Sequence, residues 1–482
     1  MDPSLKHQAL RSVKWTTLTT VGNVLLQLGQ MIVLAHLLSP EEFGLMAMVL
    51  VVIRILTPLM QAGFSQAIIQ DQTVDQDQLS TLYWLNLLLG LGTFGLLALL
   101  APKIGLFFQE EGLTSLLRWS GVAFLILPLG LQYQALFAKK LQFDRLATIQ
   151  LSGHLAEFAL SVVAALKGAG VYALIIGFLG RVTINSILSI GLGYRLHRPG
   201  WVLQIGRVRS LVRFGAFEAA NQMANLVSAQ VDKLIIGRLL GAELLGLYSI
   251  AWELIILPIA RINPVITRVA FPVYARLQND PVTLNRYYTQ SVSVLMLFNI
   301  PVLLGIGLVA EEFLYLFYGP QWVAAGTTLS ILAVTGIAKA MGNPGGGILL
   351  ARGRSDLGFY WNVVWTLALS GLLWAFLSFW PTIEAAAMAQ LTGAYTIAWI
   401  WHYLVQTVGK LDYGALLRKT GKWLVLSLPM VVGVWLVGKG VEGVAWRFAL
   451  KVCTGILLYA GSLWLFGRQE VTHLWQMIKQ TK

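Results

Sequence analysis

Apolar residues come in blocks of about twenty, the length a helix needs to cross a hydrocarbon core, and short polar connections separate them. The blocks centre on Leu25, Ile53, Leu89, Leu125, Leu155, Leu179, Val227, Ile256, Leu303, Leu332, Leu369, Met388, Val431 and Leu457. The pattern predicts an all-α polytopic membrane protein of about fourteen transmembrane helices. The longest polar connections, around residues 195–210 and 274–286, are too short to hold a globular domain.

Inside the blocks the polar residues keep helical spacing. Thr16, Thr20, Asn23, Gln27 and Gln30 are four, three, four and three apart, which places them on one face. The pattern returns 202 residues later as Glu218, Gln222, Asn225, Ala229 and Asp232. The same shift lays "VLAHLLSPEEFGLM" (Val33–Met46) on "IGRLLGAELLGLY" (Ile236–Tyr248), matching Glu41 with Glu243 and Gly44 with Gly246. "ALFAKKLQFD" (Ala135–Asp144) resembles "ILLARGRSDL" (Ile348–Leu357) at a slightly larger shift. The chain therefore reads as a parallel repeat: an N-terminal lobe of six helices (1–200), a second lobe of six (201–408) and two additional helices (409–482). Transporters built this way often hold substrate in a central cavity between their halves. Lipid penalises buried polar groups, so the two stripes are expected to line that cavity: Thr20, Asn23, Gln27, Gln30, Gln222 and Asn225, with Asp232 at the outer end and Lys233 reaching toward the boundary. Helix–helix hydrogen bonding is the plainer alternative for any single one of them.

Composition agrees. Hydrophobic residues make up 57% of the 482 and charged residues 12%, about half the share usual in soluble domains, and the mean hydropathy is +0.70. The net charge of +13 would suggest nucleic acid on a soluble protein. Here the cations fall in the connections, and with the N-terminus inside, 23 of the 35 Lys and Arg lie on the cytoplasmic side and 6 opposite. That asymmetry places both termini in the cytoplasm and excludes nucleic acid as the partner. The basic N-terminus lacks a clean apolar region with a cleavage site, so a retained first helix is expected. A single cysteine, Cys453, excludes a disulfide framework and any multi-cysteine metal site.

The remaining cations lie within helices: Arg54, Arg181, Lys233, Arg261, Lys339 and Lys451. Arg54 shares helical spacing with Thr57, Gln61 and Ser65, and Arg181 with Asn185 and Ser189. Lys339 and Lys451 lie near helix ends, where snorkelling to the interface is expected. The helix-borne acids Glu157, Glu218, Asp232 and Glu253 are the ion-coupling candidates. Two readings stay open for Arg54, Arg181 and Arg261. They form structural ion pairs with those acids, or they leave a cationic surface for an anionic substrate, with Lys339 as a fourth contact; guanidinium suits phosphate because its fork donates two hydrogen bonds at once. No metal site is expected: His154 and Glu157, one turn apart, lack further ligands and read as a satisfied polar pair. "GNPGGG" (Gly342–Gly347) lacks the Lys-Ser/Thr of a phosphate loop and reads as a helix break. No catalytic constellation can be assembled, so no enzyme is expected and no cofactor, with proton or sodium coupling left open. Trp365, Trp374, Trp380 and Trp401 read as interfacial belts and core, a few able to stack on sugar rings.

The run "DKLIIGRLLGAELLGLYSIAWELIILP", then "ITRVAFPVYARLQND", with "LLSPEEFGLMAM" and "FLYLFYGPQWVAAG" (Phe313–Gly326), resembles the polysaccharide exporters of the multidrug/oligosaccharidyl-lipid/polysaccharide flippase superfamily, most of all the Wzx-type O-unit branch. The resemblance covers nearly the whole chain. It implies two six-helix lobes around a V-shaped cavity, and transfer of an undecaprenyl-pyrophosphate-linked oligosaccharide across the cytoplasmic (inner) membrane by alternating access, for exopolysaccharide, capsule or O-antigen synthesis. Polymerase or export machinery would be the partner. A lipid II-type flippase, a cation-coupled drug exporter and a membrane-embedded polymerase are the alternatives. A drug exporter would prefer an acidic cavity, and a polymerase a large outer loop with catalytic Arg or His.

The orientation is testable. Cysteines at positions 41 and 311 should react with an impermeant thiol reagent on intact cells, and cysteines at 140 and 352 only after lysis. Labelling of position 140 from outside would reverse the topology.

Overall fold

The computed structural model describes residue 19 and residues 22–71 and 73–468. Its elements are helical, with no strand among the described residues. In chain order they are α1 (Gly22–Leu37), α2 (Pro40–Gln61), α3 (Phe64–Gln70), α4 (Gln76–Phe108), α5 (Leu113–Gly121), α6 (Ala123–Lys139), α7 (Phe143–Leu166), α8 (Tyr172–Gly193), α9 (Ile205–Arg276), α10 (Pro281–Leu308), α11 (Ala310–Phe317), α12 (Gly326–Gly342), α13 (Gly345–Ala351), α14 (Ser355–Phe379), α15 (Ile383–Thr396), α16 (Ala398–Gly409), α17 (Tyr413–Gly440) and α18 (Val444–Phe466). All fourteen expected centres fall in helices. Among the described residues, eleven spans are long and apolar enough to cross a membrane. The difference has three sources: α1 is short as described, α15 has only 14 residues, and α9 carries two expected centres on two helices joined at a kink without an intervening loop.

The break within α9 is at Gly241, whose φ of 80° and ψ of −176° suit glycine alone. The corresponding position one repeat earlier is Ser39, the N-cap of α2. There Ser39 Oγ accepts the Glu42 amide while the Glu42 carboxylate accepts the Ser39 amide, a reciprocal cap. Gly241 has no side chain to do this, and Glu110, from the α4–α5 connection, substitutes: its Oε1 accepts the Ala242 amide at 3.2 Å. The two repeat-related segments cross. A Cβ on Gly44 would land on the Ala242 carbonyl, and one on Gly246 on the Pro40 carbonyl. Shifting the first contact by 202 residues produces the second, so the repeat found in the sequence is also the symmetry of the crossing.

The chain divides into two compact units, residues 1–246 and 247–482. In the first, Phe64, Ile68, Leu79, Leu82 and Leu136 form a core with Val208 and Leu211, and Leu34 of α1 and Leu38 just after it pack on Ala164, Ala165 and Ala173. In the second, Tyr274, Tyr288, Tyr318 and Trp322 are fully buried. The glycine-rich segment does break its helix: α12 ends at Gly342 and α13 resumes at Gly345, across Pro344, which has no N–H to donate.

One expectation is corrected. Ser65 does not continue the face of Arg54, Thr57 and Gln61, because Ala62 and Gly63 turn the chain through positive φ (43° and 62°) between α2 and α3. Lys451, expected to snorkel toward an interface, is held by a carboxylate. Its ammonium is enclosed, donating to Glu312 Oε1 at 2.6 Å and to the Leu308 carbonyl at 3.1 Å, and so ties α18 to α10 and α11.

Breaking such a pair from one side strands a buried charge and costs about 3 kcal/mol or more. Lys451→Met should lower the thermal unfolding midpoint of the solubilised protein, and adding Glu312→Gln should restore most of it. An unchanged midpoint in the single variant would show that the pair contributes nothing.

Candidate functional site

Each helix-borne charge can now be placed. Arg181 of α8 lies against Glu157 of α7, with Nε 3.1 Å from Oε2, and His154 Nδ1 is 3.3 Å from the same oxygen. The guanidinium also sits 5.5 Å from the Phe178 ring centre. Close helix packing sets this geometry, since a Cβ on Gly177 would meet the Glu157 carbonyl and Ser161, both at 2.8 Å. Ser161 also accepts a hydrogen bond from Gln30 Nε2 of α1 at 3.4 Å. One α7 face thus collects a member of the first polar stripe and an arginine–glutamate pair.

The other stripe members differ in setting. Asn23, Gln27 and Gln30 are half-buried, and Thr20 lies outside the described residues. In α9, Gln222 Nε2 donates to Glu218 Oε1 at 2.8 Å; Asn225 is exposed while its neighbour Leu226 is half-buried. Asp232 and Lys233 are 2% and 6% exposed, and the Asp232 carboxylate accepts the Lys233 amide at 2.8 Å. Lys233 is therefore enclosed by protein.

Arg54 in α2 and Arg261 in the later part of α9 are exposed, although their helices are apolar. Lys339 lies between two indoles, its Nζ 4.5 Å from the Trp252 ring centre and 5.4 Å from that of Trp365. A cation over aromatic faces is stabilised by their quadrupoles. Glu253 is half-buried. Spacing along one helix did not reveal Trp252 as a partner of Lys339, nor the buried amide bridge from Asn299 Nδ2 to Asn263 Oδ1 (3.0 Å) and from Asn263 Nδ2 to the Ala340 carbonyl (3.2 Å). Among the described residues, no group of three or more His, Cys, Asp or Glu side chains could hold a metal ion.

A family model described as "Polysaccharide biosynthesis protein" matches residues 33–326. The teichuronic acid biosynthesis protein TuaB of Bacillus subtilis (strain 168) is 30% identical over 467 residues, covering 95% of each chain. The lipopolysaccharide biosynthesis protein WzxC of Escherichia coli (strain K12) is 33% identical over 75% of this chain and 73% of its own. Among solved structures, the lipid II flippase MurJ in an inward closed conformation shares the fold, with a TM-score of 0.77 at 13% identity over 96% of this chain and 100% of its own.

The α7–α8 pair generates a direct test. Arg181→Ala leaves the Glu157 carboxylate half-buried without its guanidinium, at a cost of about 1–3 kcal/mol. Folded protein, read by size-exclusion chromatography after solubilisation, should fall, and Glu157→Gln in the same chain should bring it back. Undiminished folded protein in the single variant would remove the structural role of the pair.

Proposed function

We propose, from the premise that this chain belongs to the polysaccharide biosynthesis protein family, that it flips an undecaprenyl-pyrophosphate-linked oligosaccharide from the cytoplasmic to the outer leaflet of the inner membrane. The reading places both termini in the cytoplasm, assigns the cycle to alternating access and gives the polymerase or export machinery the product. It gives the protein no catalytic role.

The observation that carries it is the exposure of Arg54 and Arg261 within membrane-length apolar helices. An exposed side chain on such a helix meets either lipid or water. Guanidinium facing hydrocarbon costs several kcal/mol, so each of these two faces a polar, hydrated surface. A diphosphate bridging lipid and sugar supplies the oxygens a guanidinium fork fits. The in-membrane acids support the same preference for an anion: Glu157 is engaged by Arg181 and Glu218 by Gln222, which leaves little exposed acid to attract a cationic drug. Lys339, held by its two indoles, is the third contact in this reading, and Arg181 acts through its pairing. Asn23, Gln27, Gln30, Gln222 and Asn225 offer neutral hydrogen bonds to sugar hydroxyls. Proton or sodium coupling, if used, falls to Glu157, Glu218, Asp232 or Glu253.

Removing the gene should cause the lipid-linked oligosaccharide to accumulate on the cytoplasmic leaflet. Arg54→Ala and Arg261→Ala should each keep normal abundance while export falls by about tenfold, since one charge-assisted hydrogen bond is worth about 1.5–3 kcal/mol. Arg→Lys should retain part of the export, keeping charge without the fork. Normal export at normal abundance in both alanine variants would overturn the assignment.

A further inference from the structure

A cationic and apolar patch lies where α10 and α17 begin. Both helices are long and apolar enough to cross a membrane, so their first turns sit at a bilayer boundary. The two starts are tied together. The Asp412 amide donates to Asn285 Oδ1 at 2.9 Å, and Trp423 Nε1 donates to Ser293 Oγ at 2.8 Å. Beneath them runs a buried polar chain, with His402 Nδ1 3.1 Å from the Tyr413 hydroxyl and that hydroxyl 3.3 Å from Tyr288 OH. The patch therefore rests on a rigid base shared by α10, α16 and α17.

Its surface mixes two chemistries. Val282, Tyr287 and Leu417 are 81%, 44% and 40% exposed, and Arg286, Arg418 and Lys419 are exposed beside them in sequence. The nearby carboxylates are already committed. Asp280 Oδ1 accepts the Thr283 amide at 3.1 Å and Asp412 Oδ1 the Ala415 amide at 3.1 Å, each capping its own helix. The Thr283 hydroxyl and amide hold the Asp280 carboxyl below its usual range. Among the described residues, Arg286, Arg418 and Lys419 have no acid within ion-pair distance.

A merely solvated basic face accounts for the cations but leaves Val282 and Leu417 in water. A merely apolar anchor accounts for those side chains but leaves three cations with no ion pair among the described residues. A lipid with an anionic headgroup answers both, its acyl chains covering the apolar residues while its phosphate accepts from the guanidinium groups. Clusters of Lys and Arg beside a membrane-crossing helix recruit such lipids electrostatically.

We propose that the α10–α17 boundary patch binds an anionic phospholipid headgroup. The site is separate from the substrate contacts assigned above and does not depend on them.

The test uses the full chain, purified and placed in discs of equimolar phosphatidylcholine and phosphatidylglycerol. Lipid that stays with the protein after detergent extraction is then counted. The wild-type chain should retain phosphatidylglycerol in excess over phosphatidylcholine, and the excess should shrink at high salt. Each cation removed by Arg286→Gln, Arg418→Gln or Lys419→Gln should weaken retention by about fivefold. Should the triple variant fold poorly, Arg418→Gln alone against Arg418→Lys provides the same readout in a minimally altered protein. No excess in the wild-type chain, or an excess unchanged in the Arg418→Gln and triple variants, would overturn the proposal. Displacement of the lipid by inorganic phosphate at equal concentration would also overturn it, by showing a free-phosphate site.

Discussion

Hydrocarbon neither donates nor accepts hydrogen bonds, so a chain dissolved in it must satisfy its backbone and charges from within. The rest of this structure follows from that demand. It explains the helical architecture, and it explains why the places where helices stop are so carefully furnished. Where α2 begins, Ser39 and Glu42 cap each other's amides. Where α9 breaks, a carboxylate from a different part of the chain, Glu110, reaches the freed amide of Ala242. Where α18 must bury an ammonium, Glu312 and a backbone carbonyl receive it.

The repeat is obeyed in packing and relaxed in local chemistry. Gly44 meets Ala242 and Gly246 meets Pro40, the two contacts related by the same 202-residue shift. Such close backbone approach tolerates no side chain, so both halves keep glycine. Capping is a different kind of constraint, because any acceptor near the amide will serve. Ser39 could therefore give way to Gly241 once Glu110 supplied the oxygen, and a loop with its own cap in one half became a kink in the other.

This difference also marks how far the sequence could be read. Solvent constraints act along a single helix and leave periodicities: the apolar blocks and the break at Pro344 were both legible. So was the pairing of His154 with Glu157, because one helical turn separates them. Partners from other helices leave no such trace. The Lys451–Glu312 pair joins residues 139 apart in the chain, and Lys339 finds Trp252 and Trp365 on two other helices. Ser65 failed for a local reason. Helical spacing is persuasive only while the helix lasts, and Ala62 and Gly63 end it two residues earlier.

The sorting of arginines bears on the proposed function through the strength of the hold. A flippase must release on one side what it takes up on the other, so its affinity has to be limited as well as sufficient. In the reading proposed above, each charge-assisted contact from an arginine would supply about 1.5–3 kcal/mol, so two would supply about 3–6 kcal/mol. That range corresponds to dissociation constants from roughly millimolar to tens of micromolar, a grip that thermal motion can break. A third guanidinium contact would tighten the grip by another tenfold or more and slow release. Glu157 occupies Arg181 instead, converting a charge that would deepen substrate binding into one that fixes α7 against α8. Arginine thus serves structure in α8, where a carboxylate on the neighbouring helix reaches it, and is proposed to serve substrate elsewhere.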